Sequence, residues 1–202
     1  MALGVPSLKE TRRSLSGAWQ LFLGRKSGLA LLDTSFEGFW RSFGVFYLLV
    51  PLTGILILTE MRLVEASGAT PEEGVPLLPF ALWKFLNLGL ELVAFPIVVA
   101  LMSGFLAVRA TFVPYVVARN WSIPIALAIT LFPATLFAAG LIGRPIAELL
   151  LFAGLVVALR FHFVVLRIAL QASVGLAIAL LVLDFVLSML ISDLIARASG
   201  IV

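Results

Sequence analysis

From about residue 43 onward the chain alternates long apolar runs with short polar or glycine-containing breaks. A bilayer core of about 30 Å needs roughly 20 helical residues to cross it. Five runs answer to that length: 43–58, 85–108, 122–142, 146–166 and 174–195. The first is short unless it extends at both ends. Residues 146–195 hold no proline, and at about 1.5 Å per residue they would cross a bilayer about twice as one helix, so a turn is required. The stretch RIALQASVG, 167–175, is the interruption that holds it. The predicted fold is all-α, a polytopic bundle of five membrane-spanning helices over 43–202. A lead segment, 1–42, precedes it, and a long acidic loop, 59–84, carries Glu60, Glu65, Glu72 and Glu73.

In the lead segment, Leu8, Leu15, Trp19 and Phe22 follow one another at spacings of seven, four and three. That gathers them on one helical face, with Lys9, Arg12 and Arg13 largely elsewhere. Such a helix either lies on the cytoplasmic leaflet or packs on the protein's own surface. Thr34 with Glu37 has the form of a capping box, so the next helix is expected to begin near Ser35. Phe36, Phe39, Trp40 and Phe43 then form an aromatic collar. Leu15, Trp19, Phe22 and Trp40 are the candidate lipid or partner surface. Trp40, Trp83 and Trp121 fall beside run starts and Trp19 lies in the lead segment, places where an indole suits the headgroup level.

Composition strengthens the membrane reading: 62% of residues are hydrophobic and 12% charged, against about a quarter charged in soluble domains. The net charge of +3 does not point to nucleic acid, because the basic residues sit beside apolar runs and read as orienting charges. Lys9, Arg12, Arg13, Arg25, Lys26, Arg41, Arg109, Arg119, Arg160 and Arg167 fall on one side. Arg62, Lys84, Arg144 and Arg197 fall on the other. This places the N-terminus in the cytoplasm and the C-terminus outside, in a multi-pass protein of a bacterial inner membrane, with no cleaved signal peptide expected. There is no cysteine and a single histidine, His162. Thiolate chemistry, Cys-based metal sites and every two-histidine motif are thereby excluded. No cofactor and no metal is expected, and no enzyme activity.

Within the apolar runs, Asn87 and Glu91 are four apart, as are Asp184 and Ser188, so each pair shares a helix face. Counted from the outer ends, both carboxylates lie roughly 12 to 14 Å deep. A carboxylate at such depth costs about 2.5–3.5 kcal/mol, so each should be protonated, paired or facing water. One reading makes Asn87, Glu91, Asp184 and Ser188 a proton or cation site, in which two close carboxylates share one proton. The others make them neutral interhelical hydrogen-bond glue or residues facing an outer vestibule. Pro96 could free a backbone carbonyl near Glu91. His162, between Arg160 and Arg167, reads as an interfacial residue contacting headgroups. Gly154 with Ala158, and Gly175 with Ala179, offer small packing surfaces that would suit a homo-oligomer.

The layout of an amphipathic cytoplasmic lead and five spans resembles the Yip1-like superfamily. FEGFWRSF and YVVARNWSIP are similar to stretches of bacterial inner-membrane proteins of that kind. The resemblance implies a non-enzymatic protein that organises membranes or complexes through lipid or protein partners, and it carries over no site residues. That is the first expectation. The second is a small transporter or channel component coupling a proton or cation through Glu91 and Asp184. An intramembrane enzyme using those carboxylates or His162 ranks third, since no nucleophile has a base beside it.

Overall fold

The computed structural model describes residues 6–66 and 77–199, which contain seven α-helices and no strand. In chain order these are α1 (Leu8–Phe22), α2 (Phe36–Ser42), α3 (Phe46–Ala66), α4 (Leu77–Met102), α5 (Phe112–Ala138), α6 (Arg144–Ile168) and α7 (Val174–Ser199). Five stretches are long and apolar enough to cross a membrane: Phe36–Arg62, Leu77–Met102, Arg109–Ala138, Arg144–Ile168 and Val174–Ala198. They correspond one to one with the five predicted runs. Of the predicted acidic loop, 59–66 belong to α3 and 77–84 to α4, and 67–76, with Glu72 and Glu73, lie outside the described residues.

Several boundaries move, for different reasons. The first span opens at Phe36 because α2 passes through a short 3-10 turn, Phe43–Val45, straight into α3. Its N-cap is Ser35, whose Oγ accepts from the Gly38 N–H at 3.0 Å, so the cap pairs Ser35 with Gly38 and Thr34 with Glu37 do not form the box. Gly38 is required there, since a Cβ would stand 2.1 Å from the Asp33 carbonyl oxygen. The second span stops at Met102, not at 108. The apolar residues that follow form a turn with Ala107 at φ 54°, closed by Val108 N–H donating to the Ser103 carbonyl at 3.0 Å. The third span therefore begins at Arg109, well before the expected 122. The turn between α6 and α7 falls within 167–175 as predicted. Gln171 takes the left-handed conformation there, Arg167 donates to the Ala172 carbonyl, and Ser173 Oγ accepts from Leu176 N–H at 3.2 Å.

α5 is the axis of the molecule. Tyr115 to Ser122 are buried without a break, and α1, α2, α3 and α6 all pack on this helix. Trp121, expected at the headgroup level, is part of that core at 2% exposure. On the other side, α4, α7, α6 and α5 close a ring: α4 packs on α7, α7 on α6, α6 on α5, and a shorter contact joins α5 to α4. Gly154 faces α5 within that ring, with the Ile129 carbonyl 3.5 Å from where a Cβ would sit.

The lead helix docks on the protein. α1 buries Ser14, Gly17, Ala18 and Leu21, and Gly28 of the following turn comes so close that a Cβ on it would stand 2.4 Å from the Gly17 carbonyl. Arg160 of α6 donates to the Phe22 carbonyl at 2.9 Å, and Phe22 meets Phe161 edge-on at 5.2 Å. The buried stripe is thus the small-residue one. The apolar row read from the sequence lies at its margin, with Leu15 and Phe22 half-buried, Trp19 exposed and Leu8 almost fully exposed.

Candidate functional site

Apolar helices of this length have no need of polar side chains at their middle, so the partners of the few that occur are informative. Glu91 of α4 points to α7, where its Oε1 accepts from Ser188 Oγ at 2.7 Å. The same oxygen accepts from Asn87 Nδ2 at 3.0 Å. One turn further, Ser192 Oγ donates to Asn87 Oδ1 at 3.1 Å. The two helices run antiparallel, so Glu91 with Ser188 and Asn87 with Ser192 are successive rungs of one polar ladder. Of the same-face pairs read from the sequence, Asn87, Glu91 and Ser188 meet here; Ser192 joins them and Asp184 does not.

Asp184 takes a different partner. Arg119 reaches across from α5, its Nη2 3.3 Å from Asp184 Oδ1 and 3.4 Å from the Glu91 backbone carbonyl. The guanidinium stands 5.4 Å from the Phe95 ring. The two paired side chains are only 10% and 20% exposed. Tyr115, one turn earlier on α5, is buried beside the same guanidinium. Glu91 and Asp184 thus line one place, where Arg119 bonds the Asp184 carboxylate and the Glu91 backbone carbonyl.

That place is a partly open cavity of about 440 Å³ lined by α4, α5, α6 and α7. Glu91, Arg119, Asp184, Ser188 and His162 line it, and the rest of the wall is largely aliphatic, Leu88, Ile123, Leu127 and Leu159 among it. His162 is thus a cavity residue and not a headgroup contact. Its neighbour Arg160 projects to α1, whereas two residues on, about 200° around the helix, the imidazole projects into the ring.

The electrostatics follow from the groups present. The site holds two carboxylates against one guanidinium, with an imidazole beside them, and removing an ion from water costs several kcal/mol even after relaxation. Asp184 is paired with Arg119, whereas Glu91 is bonded to the neutral donors Asn87 and Ser188. Among the described residues no group of three or more His, Asp or Glu side chains is placed to hold a metal ion.

The candidate lipid or partner residues form two patches. Trp19 stacks on Phe22 at 4.9 Å and remains 49% exposed. Trp40 lies in a cluster with Phe36, Phe39 and Phe43 and remains 43% exposed. Gly154 is used within the ring, whereas Gly175 and Ala179 are exposed.

Arg119 is the residue that sequence reasoning missed, having been counted as a loop charge. A signal was available: FVPYVVA runs without glycine into RNWSIP, and Tyr115, Arg119 and Ser122 recur at helical spacing. No family model, no curated protein and no solved structure matches the chain. The site therefore stands on its own geometry.

Proposed function

We propose that the chain is a multi-pass membrane protein that takes up and releases a proton at Glu91 and couples that exchange to the passage of a small solute through the α4–α7 ring. The observation that carries this reading is the cavity, since a polar cluster serving only as glue leaves no room of about 440 Å³ beside it. The ladder of Glu91, Ser188, Asn87 and Ser192 supplies hydroxyl and amide groups that lead from the cavity along the α4–α7 seam. We assign the N-terminus to the cytoplasm of a bacterial cell with this topology. Without Arg119, nine basic residues remain on that side against four, so the bias persists.

A second reading is supported by a separate observation. Trp19, Phe36 and Trp40 are exposed on a lead segment that also carries Lys9, Arg12, Arg25 and Lys26. Aromatic and basic groups together favour an anionic membrane surface or a membrane-protein partner. This surface would serve membrane organisation or complex assembly, as the Yip1-like resemblance implies, and it is compatible with a transporting core.

The test is proton flux into proteoliposomes loaded with a mixture of small cationic, neutral and anionic solutes, after an external acid jump, followed with an enclosed pH dye. Wild type is expected to acidify the lumen faster than empty vesicles. The Glu91→Gln, Asp184→Asn double variant is expected to return to the empty-vesicle rate. Identical traces from all three would overturn the transport reading and leave the lead-segment surface as the function.

A further inference from the structure

We propose that the solute is a monovalent organic cation with an apolar body, and that it competes with the proton for Glu91. This rests on the proton-exchange reading above and adds the substrate class.

Charge selects the sign. The ionisable groups facing the cavity are Glu91 from α4, Arg119 with Tyr115 behind it from α5, His162 from α6 and Asp184 from α7. Arg119 spends Nη2 on Asp184 and the Glu91 carbonyl, and although its Nη1 has no hydrogen-bond partner, its single positive charge is already offset by Asp184. The net charge left over is negative and single. An anion would double it, and a divalent cation would reverse it.

Shape and lining select the body. A water molecule occupies about 30 Å³, whereas this cavity of about 440 Å³ falls in the range of organic-ligand pockets, about 300–1,000 Å³. A hydrated inorganic ion would gain nothing from Leu88, Ile123, Leu127 and Leu159. It would also find too few oxygens to replace its water shell. An alkyl or aryl body gains about 25 cal/mol for each Å² of apolar surface it buries there. Phe185, also in the wall, presents a ring to which an onium group is attracted.

Arg119 sets the stoichiometry. By pairing with Asp184, it leaves one carboxylate open to exchange. Glu91 Oε1 is occupied by Asn87 and Ser188 in either state, so proton and cation contend for what remains of the carboxylate. Binding both would leave a net positive charge in an apolar enclosure. One cation therefore displaces one proton.

The experiment is binding of tetraphenylphosphonium to the purified, full-length protein in detergent, by calorimetry across a pH series and in two buffers of different ionisation enthalpy. The expected result is affinity that rises about tenfold per pH unit while free Glu91 is protonated, with one proton released per cation bound. Glu91→Gln should abolish binding while retaining the wild-type melting profile, and Glu91→Asp should keep a weaker, still pH-dependent affinity. Binding that ignores pH, that survives Glu91→Gln, or that is matched by tetraphenylborate would overturn the proposal. Vesicle proton flux without phosphonium binding would overturn the substrate class and spare the proton-exchange reading. Phosphonium binding with proton release but no vesicle flux would uphold the cation site and overturn only coupled transport.

Discussion

Arg119 and Asn120 are consecutive residues of α5, both buried, with side chains leaving the helix about 100° apart. Asn120 points at a packed wall: its Nδ2 donates to Ser42 Oγ at 2.9 Å, and Ser42 Oγ donates to the Phe39 carbonyl at 2.7 Å. Neither residue lines a cavity, and both are at most 1% exposed. Arg119 points into the ring, where two carboxylates and an imidazole surround open space. The difference is not polarity, depth or helix. It is room: a polar group packed on all sides fixes a helix pair, and one beside a cavity can change its partner.

That contrast breaks first at Arg119. Removing its charge leaves Asp184 buried and unpaired, which costs about 3–5 kcal/mol in comparable pairs. Arg119→Gln is therefore expected to show the largest loss of stability in a detergent melt or denaturant titration. Adding Asp184→Asn should recover much of it, because the orphaned charge is gone. Should Arg119→Gln melt like wild type, the ion pair would be dispensable and Asp184 would have to be protonated already.

A smaller effect is expected on the packed side. Ser42→Ala leaves the Asn120 amide buried without its acceptor, at about 1–3 kcal/mol. Phosphonium binding and vesicle flux should not change, since neither group touches the cavity. Loss of flux in Ser42→Ala at a temperature where it remains folded would mean that the packed cluster and the cavity act as one unit.

What could be read from the sequence tracks what depends on one helix at a time. Length and apolar content located five spans, and spacing put Asn87 with Glu91 and Asp184 with Ser188. The ladder of α4 and α7 then needed only matching depth. Arg119 was illegible for a definite reason: a basic residue beside an apolar run looks the same whether it orients a loop or is buried. Which applies depends on α1, α2 and α3 covering the first half of α5. Trp121 was misread on the same ground. His162 was hidden by its arginine neighbours, although Arg160 is spent on the Phe22 carbonyl on another face.

The smallest expected effect comes from the same chemistry placed in water. Arg41, just past the start of the first span, meets Glu37 at 3.3 Å, Glu10 at 3.2 Å and Asp33. It too is one guanidinium among carboxylates, but its partners are part-exposed. Hydrogen bonds from the Ser35 side chain and backbone hold the Asp33 carboxyl below its ordinary 3.8, Arg41 adds to this, and partial burial opposes it. A depressed carboxylate stabilises the fold above its unfolded value, and the gain is lost as pH falls through the lower native one. Asp33→Asn should therefore cost below about 1 kcal/mol at neutral pH, exposure and salt screening both reducing it. It should also flatten the acid limb of a melting-temperature profile below the ordinary carboxylate value. Raised salt should shrink the Asp33→Asn difference more than that of Arg119→Gln, because the Arg41 pairs are more exposed than the Arg119–Asp184 pair. Equal salt sensitivity would mean that Arg119 is as wet as Arg41, and the distinction between a mostly buried pair and an exposed one would fail with it.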